Sequence, residues 1–143
     1  MQVGRIIADR AGAEIISCSK DIPLREAVRL LAEKRIGALP VMEDGRVIGI
    51  VSERDLLYCL AAEGEASLAK PVAEVMTSPP ITVSREANAI EALALMTRRR
   101  IRHLPVVDGD VMSGFVSIGD LVKSRLEEIS HEAEAMREYI RMA

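Results

Sequence analysis

The sequence predicts an α/β (α+β) fold in which two β-α-β-β-α repeats pack on each other about a pseudo-twofold axis, followed by an extended C-terminal helix. Residues 36–56 (IGALPVMEDGRVIGIVSERDL) and 101–121 (IRHLPVVDGDVMSGFVSIGDL) align without a gap. Each copy mixes strand and helix periodicity, which is typical of a two-layer architecture. A unit of roughly 60 residues usually cannot bury its apolar face alone. We therefore expect the two copies to close one core, with a ligand site at the seam.

The repeat divides the chain into three parts. We expect the first repeat to span residues 1–66, the second 67–126, and a C-terminal helical extension 127–143. A polar segment, residues 64–70, is predicted to link the repeats. The match extends backwards from the aligned strands: Ser19, Glu26, Ala27, Leu30 and Arg35 recur as Ser84, Glu91, Ala92, Leu95 and Arg100.

Each repeat is expected to begin with a short lead-in helix, at residues 3–8 and 72–77. A short β-branched stretch follows, at residues 15–18 and 81–83, and predicts a strand. An amphipathic helix comes next, and Pro23 is expected in its first turn. Its apolar face repeats at helical spacing at Leu24, Ala27, Val28, Leu30 and Leu31 and, in the second copy, at Ile90, Leu93, Ala94 and Met96.

A β-hairpin and a second helix complete each repeat. Residues 39–51 contain Asp44-Gly45 between two apolar runs, and this dipeptide strongly indicates a hairpin turn. Residues 104–116 repeat the pattern. Ser52 and Ser117 are predicted to open the second helices, of which the one in the second copy is much longer.

Composition restricts the function classes. The 143 residues are 49% hydrophobic and 29% charged, which describes a globular domain. A net charge of −3 and an aromatic content of 2% disfavour a nucleic-acid partner. No apolar run is long enough to span a bilayer and the N-terminus lacks signal-peptide features, so we expect a cytoplasmic protein without a membrane partner. Cys18 and Cys59 are expected to be buried, reduced thiols.

A Gly-x-x-Ser-x-x-Asp motif ends the hairpin in both copies, at Gly49, Ser52 and Asp55 and at Gly114, Ser117 and Asp120. One interpretation is a helix capping box, in which the Ser oxygen accepts from a first-turn amide. The other is a ligand site, because the motif lies at the carboxyl end of a strand. A helix N-terminus offers amides to phosphate, and the carboxylate can hold a ribose diol. The recurrence of the glycine favours the ligand site without excluding the cap.

The doubled pattern resembles a tandem pair of cystathionine-β-synthase (CBS) domains, the Bateman module. The resemblance is carried by the lead-in helices (VGRIIA and VAEVMT), the LPV strands at residues 36–41 and 101–106, and the two Gly/Ser/Asp turns. It extends to about residue 125. It implies that an adenosine-containing ligand (AMP, ADP, ATP, NADH or S-adenosylmethionine) binds in the cleft between the repeats, and that the chain is a regulatory sensor.

The resemblance also assigns residues. The family's ribose-binding acids match Asp55 and Asp120, and its phosphate-side hydroxyls match Ser52 and Ser117. Adenine is expected to meet the first strand of each repeat, at Ile16, Ser17, Ile81 and Thr82.

The two copies differ around these positions. Arg54 occupies a slot where a guanidinium suits phosphate, whereas Gly119 stands at the equivalent position of the second copy. Arg100, Arg102 and His103 cluster before a strand, and we expect them to compensate in the second site. A solvated basic helix end and a structural histidine are the alternatives. The two sites are therefore predicted to differ in their preference for phosphate.

The last helix carries an apolar stripe that extends beyond the repeats. Apolar residues recur at alternating four- and three-residue steps, as in a coiled coil, at Val122, Leu126, Ile129, Ala133, Met136 and Ile140. We expect the chain to form a homodimer through this stripe. The alternative is a helix folded back on its own domain. His131 lies off the stripe and is predicted to be exposed.

The residues disfavour an enzyme. We find no nucleophile with a positioned base, no metal-ligand spacing and no Walker-type glycine loop in the sequence. We therefore expect a non-catalytic protein without a metal or catalytic cofactor. The adenine-nucleotide sensor is favoured over a structural or protein-interaction module with vestigial sites. No effector domain accompanies the repeats, so an unknown separate protein would be the regulated partner.

Overall fold

The computed structural model describes residues 1–9 and 14–143 and confirms the predicted fold class. The first repeat contains α1 (Val3–Ala8), β1 (Cys18–Ser19), α2 (Leu24–Lys34), β2 (Ala38–Glu43), β3 (Arg46–Ser52) and α3 (Glu53–Glu63). Two 3₁₀ helices follow, Gly64–Ala69 and Val72–Glu74. The second repeat contains β4 (Val83–Ser84), α4 (Ala89–Arg99), β5 (His103–Asp108), β6 (Val111–Ser117) and α5 (Ile118–Met142).

The sheet is symmetric about its centre. Its six strands have the order β1-β2-β3-β6-β5-β4. At each edge a short strand pairs in parallel with the first strand of an antiparallel hairpin. The two hairpins meet at the centre, where Arg46 of β3 is in register with Val111 of β6. This arrangement is the one that a pseudo-twofold axis between the repeats requires.

The two lead-in segments pack into opposite halves of the molecule. Val3 and Ile6 of α1 are buried in a core with residues of the second repeat, among them Leu104 and Leu121. Val72 is buried in a core built from the first repeat. Each lead-in segment therefore crosses the seam, so that burial of apolar surface holds the two halves together.

Gly49 and Gly114 let these lead-in segments approach the sheet. A Cβ atom at Gly49 would lie 2.6 Å from Sδ of Met76 and 3.0 Å from the carbonyl oxygen of Thr77. A Cβ atom at Gly114 would lie 2.8 Å from Cγ2 of Ile7. The recurring glycine is therefore explained by close packing of the chain itself.

Several local elements differ from the prediction. Strands β1 and β4 are two residues long and begin later than expected. Pro23 is the N-cap of α2, with an extended ψ of 151°, instead of lying in the first turn. The polar linker is a 3₁₀ helix, in which the hydroxyl of buried Ser67 donates to the carbonyl of Gly64 at 2.7 Å. The second lead-in segment is a short 3₁₀ helix, Val72–Glu74, instead of a helix that reaches residue 77.

The hairpin turns were predicted correctly. Asp44 and Gly45 both have positive φ angles, 51° and 79°, as a type I′ turn requires. The helices before the hairpins also end alike, because Arg35 and Arg100 both adopt the left-handed conformation that closes α2 and α4.

The long helix α5 leaves the globular body after its first three turns. Leu121 and Ser124 are buried, and all side chains from Ile129 to the end of the helix are exposed. The helix therefore does not fold back over its own domain. Within the described part of the chain, no helix combines the length and apolarity needed to cross a membrane.

Candidate functional site: two clefts at the seam

Two clefts open between the repeats, and each is built from both of them. The Asp55 cleft has a volume of about 340 Å³ and combines Ser52 and Asp55 of the first repeat with Ile81 of the second. The Asp120 cleft has a volume of about 460 Å³ and combines Ser117 and Asp120 of the second repeat with Ile16 of the first. In the Asp55 cleft the start of α3 thus faces the segment before β4. In the Asp120 cleft the start of α5 faces the segment before β1.

The structure brings most of the predicted site residues to these clefts. The Asp55 cleft is lined by Ser52, Arg54, Asp55, Ile81, Arg100, Arg102 and His103. The Asp120 cleft is lined by Ile16, His103, Gly114, Ser117 and Asp120. Ser17, Gly49 and Thr82 are not part of either lining. Gly49 is instead covered by the lead-in segment, as its contact with Met76 indicates.

The capping interpretation of the motif is confirmed in both copies. The Ser52 amide donates to Oδ2 of Asp55 at 2.8 Å, and the Asp55 amide donates to Oγ of Ser52 at 3.4 Å. Ser117 and Asp120 make the same two bonds at 2.8 and 3.1 Å. A carboxylate has about four lone-pair positions, so capping leaves Asp55 with the capacity to accept further hydrogen bonds.

A third capping box, at the start of α4, serves as an internal comparison. The Glu91 amide donates to Oδ1 of Asn88 at 2.8 Å, and the Asn88 amide donates to Oε2 of Glu91 at 3.4 Å. Neither residue lines one of the two clefts. The capping geometry alone therefore does not create a cleft, and it does not by itself indicate a ligand.

The helix starts offer fewer free amides than the sequence suggested. The first amide of α3, on Glu53, donates to the carbonyl of Gly37 at 3.0 Å. The first amide of α5, on Ile118, donates to the carbonyl of Arg102 at 2.8 Å. Anion binding at these clefts would therefore depend more on side-chain cations than on the helix amides.

The cations are concentrated in the Asp55 cleft, which is lined by Arg54, Arg99, Arg100 and Arg102. The guanidinium Nη1 of Arg54 donates to the carbonyl of Arg100 at 2.9 Å. Arg100 and Arg102 therefore do not compensate in the second site, and that expectation was wrong. They face the same cleft as Arg54, because each cleft takes its helix start from one repeat and its strand-entry loop from the other.

The Asp120 cleft has a different balance of charge. Arg35 lines it, together with Glu14 and Asp120. Phe115 also lines this cleft. Among the described residues, the linings of the two clefts therefore differ in charge.

His103 borders both clefts. Its ring stacks on Phe115, with the ring centroids 5.7 Å apart and an interplanar angle of 13°. Burial, and secondly the charge of Arg102, lower the pKa of His103. Both effects favour the neutral imidazole. The equivalent position in the first repeat is Ala38, which also borders both clefts.

Some residues that line the clefts could not be recognised as site residues from the sequence. Thr77 and Pro80 reach the Asp55 cleft because the segment before β4 crosses the seam. The Oγ1 of Thr77 lies 3.5 Å from Oδ1 of Asp55. Glu14 and Ile15 reach the Asp120 cleft in the equivalent way. Only the relative placement of the two repeats determines these contacts.

The described residues contain no group of three or more His, Cys, Asp and Glu side chains that could hold a metal ion. Cys18 is buried as predicted, and burial raises the pKa of its thiol to about 11. Cys59 is half-buried instead of fully buried. Neither thiol lines one of the two clefts.

Comparison with known proteins agrees with the architecture. The CBS domain family matches residues 5–62 and 72–127. The chain belongs to the CBS domain family. The mitochondrial CBS domain-containing protein CBSX3 of Arabidopsis thaliana is 36% identical over 128 residues, which are 86% of this chain and 62% of that relative. The CBS domain-containing protein YhcV of Bacillus subtilis is 29% identical over 124 residues, 87% of this chain and 88% of YhcV.

The chain spans less than two thirds of CBSX3, and much less of some other relatives. An inosine-5′-monophosphate dehydrogenase of Mycobacterium tuberculosis is 36% identical over 86% of this chain, but the match covers 23% of that enzyme. The shared region of these proteins is therefore the CBS pair, and the rest of the dehydrogenase has no counterpart in the match.

Solved structures share the fold over nearly their whole length. A CBS-domain containing protein from Agrobacterium tumefaciens has a TM-score of 0.81 at 35% identity, over 87% of this chain and 99% of that one. CBSX2, solved in complex with AMP, has a TM-score of 0.73 at 29% identity, over 88% and 96%. These similarities support the tandem CBS pair predicted from the doubled motif.

Proposed function

We propose that this CBS pair is a regulatory sensor that binds an adenosine-containing ligand in the clefts at its seam. The observation that carries the proposal is the lining of the Asp55 cleft, where an acid, a hydroxyl and four arginines converge from both repeats. A ribose diol requires acceptors, and phosphate requires cations. The AMP complex of CBSX2 supports the same ligand class.

In the Asp55 cleft, each part of an adenine nucleotide has a candidate partner. The carboxylate of Asp55 would accept from the ribose hydroxyls while it continues to cap α3. Arg54, Arg100 and Arg102 would face the phosphates. The apolar side chain of Ile81 would contact the adenine. AMP, ADP, ATP and NADH carry the phosphate that this lining favours.

The Asp120 cleft is proposed to take an adenosine ligand that carries less negative charge. Among the described residues of its lining, Glu14 and Asp120 offset the positive charge of Arg35. Phe115, one face of which stacks on His103, would contribute aromatic surface for a base. S-adenosylmethionine, whose sulfonium and ammonium groups are cationic, fits this balance better than ATP does.

The proposed mechanism follows from the position of the clefts. Because each cleft is built from both repeats, a bound ligand adds contacts across the seam. It would favour one relative orientation of the repeats and so shift a population of states. We propose that a separate protein reads this shift. The chain would then be regulatory and not catalytic, and its cytoplasmic location stays a prediction.

Isothermal titration with AMP, ADP, ATP, NADH and S-adenosylmethionine tests the proposal. We expect saturable binding of at least one of them, and about a tenfold or larger loss of affinity in Asp55→Ala, since hydrogen bonds to a charged group contribute about 1.5–3 kcal/mol. Glu91→Ala is the matched control, because it removes the same capping geometry away from both clefts and should leave affinity unchanged.

The second candidate is a structural or protein-interaction module with vestigial nucleotide sites. The complete capping boxes at Ser52 and Ser117 support it, because they give both motifs a role without a ligand. If none of the five ligands binds at millimolar concentration, this candidate replaces the sensor.

A further inference from the structure

One titratable side chain is shared by the two clefts. The described residues that line both of them are Gly37, Ala38 and His103, and of these only His103 can change its charge. The imidazole therefore belongs to the Asp55 cleft and to the Asp120 cleft at once. Its charge acts on a ligand in either cleft, whichever of them takes a phosphate.

The ring of His103 is held in this position by packing. It stacks on Phe115, with the ring centroids 5.7 Å apart. A Cβ atom at Gly37 would lie 3.1 Å from Cε1 and 3.6 Å from Nε2 of the imidazole. This edge of the ring therefore lies against the chain just before β2. A ring packed in this way has little freedom to move away from a charged ligand.

The free protein favours the neutral form of this ring. Burial is the largest effect that lowers the pKa of His103, and the charge of the preceding residue, Arg102, acts in the same direction. Asp120 at the start of α5 and Glu53 at the start of α3 act in the opposite direction. A proton on His103 therefore needs additional negative charge nearby.

An anionic ligand would supply that charge, because cations outnumber carboxylates in the two linings. Their described charged residues are five arginines and three carboxylates: Arg35, Arg54, Arg99, Arg100 and Arg102, with Glu14, Asp55 and Asp120. An anion held among these arginines would neutralise part of the positive charge around the imidazole. An opposite charge within about 4–6 Å of a titratable group also favours its charged form.

We propose that an anionic ligand binds in these clefts together with a proton on His103, so that the chain responds jointly to ligand and to pH. The proposal rests on the proposed function for its ligand class and adds a regulation to the same clefts. By linkage, the affinity for the anion rises as the pH falls through the range in which the bound form takes up the proton. It levels off where the free protein is protonated as well.

Sulfate is the probe for the test, because it contains no adenosine and does not titrate in this range, whereas phosphate monoesters titrate near pH 6 (about that value). Proton NMR of the full chain follows His103 and His131 between about pH 7.5 and 5.5, in sodium sulfate or in sodium chloride of equal ionic strength. We expect sulfate to move the titration of His103 to higher pH. His131 is exposed and lines neither cleft, so it should titrate alike in both salts.

Two variants at His103 measure the consequence for affinity, which is read from the amide shifts around the clefts. In the wild type, sulfate should bind about tenfold more tightly at the lower pH, since a change of one in a pKa corresponds to that factor. His103→Gln should keep the lower affinity at both pH values. His103→Arg should keep the higher affinity at both, because a guanidinium stacks on an aromatic ring and stays charged. His131→Gln, the matched control, should retain the wild-type dependence.

An unchanged titration of His103 in sulfate, or a pH dependence that persists in His103→Gln, would overturn the proposal. Either result is distinguishable from a failure of the proposed function. If nucleotides bind but the titration of His103 does not respond to sulfate, only the proton linkage is wrong. If none of the five adenosine ligands binds while sulfate still moves the titration of His103, the sensor assignment is wrong and the proton-linked anion site remains.

Discussion

The guanidinium of Arg54 donates to the carbonyl of Arg100 at 2.9 Å and so joins the start of α3 to the end of α4 across the seam. Arg100 has a positive φ of 55° and closes α4 in the left-handed conformation. The bond places a cation of the first repeat beside the cations of the second. The positive charge of the Asp55 cleft therefore arises from the packing of the two repeats. Neither repeat supplies it alone.

Removal of Arg54 should distinguish phosphate-bearing ligands from adenosine. We expect Arg54→Ala to weaken AMP and ATP by about tenfold or more, because a charge-assisted hydrogen bond contributes about 1.5–3 kcal/mol. The affinity for adenosine should change less than twofold. Calorimetric titration of both ligand types measures the difference. Arg29→Ala, on the exposed face of α2, is the control, and an equal loss for adenosine and AMP would count against a phosphate role.

Arg102 should act on the same ligand as Arg54. The sequence suggested that Arg102 serves the other site, whereas the structure places both residues in the Asp55 cleft. A double-mutant cycle with Arg54→Ala and Arg102→Ala, read out by ATP affinity, is expected to be non-additive, because both cations would face the same phosphates. If each single variant lowered the affinity of a different site, the shared cleft would be the wrong assignment.

His103 should make the stability of the protein depend on pH. Burial and the charge of Arg102 lower the pKa of His103 in the folded state, while Asp120 and Glu53 act in the opposite direction. On acidification the unfolded chain therefore takes up the proton first. The free energy of unfolding should fall as the pH drops through the ordinary histidine value of 6.5 towards the folded pKa. It should level off below that pKa.

Urea unfolding between pH 7.5 and 5 measures this effect. His103→Gln should flatten the dependence over that range relative to the wild type. His131→Gln is the matched control, because His131 is exposed, as the sequence predicted. The same slope in His103→Gln and in the wild type would show that other groups cause the pH dependence.

Most of the fold could be predicted because it depends on local pattern. The gapless repeat, the periodicity of α2 and α4 and the Asp44-Gly45 turn are each set by residues close together in the chain. The structure confirms these features. In the turn, the φ angles of Asp44 and Gly45 are 51° and 79°. The edge strands were predicted less accurately, since β1 and β4 each contain only two residues, Cys18–Ser19 and Val83–Ser84.

The pairing of loops and helix starts could not be predicted in the same way. Nothing local to Arg102 indicates that its neighbour across the seam is Arg54 and not Gly119. That choice depends on how two similar repeats rotate against each other, and on the exchange of the lead-in segments. The same exchange explains why Gly49, predicted to face a ligand, instead contacts Met76.

The packing role of the recurring glycines can be tested through stability. Gly49→Ala would place Cβ 2.6 Å from Sδ of Met76 and 3.0 Å from the carbonyl of Thr77. Gly114→Ala would place it 2.8 Å from Cγ2 of Ile7. We expect each change to lower the free energy of unfolding by about 1–3 kcal/mol, as overpacking in a well-packed site does.

Gly119→Ala is the matched control for these two variants. Its Cβ would lie 3.6 Å from the nearest atom, Oγ of Ser117, and Gly119 is in the first turn of α5. Alanine is favoured over glycine in a helix by about 1 kcal/mol, so this variant should be neutral or more stable. Chemical unfolding of the three variants measures the contrast. If Gly49→Ala were as stable as Gly119→Ala, the lead-in segment would not be the reason for the glycine.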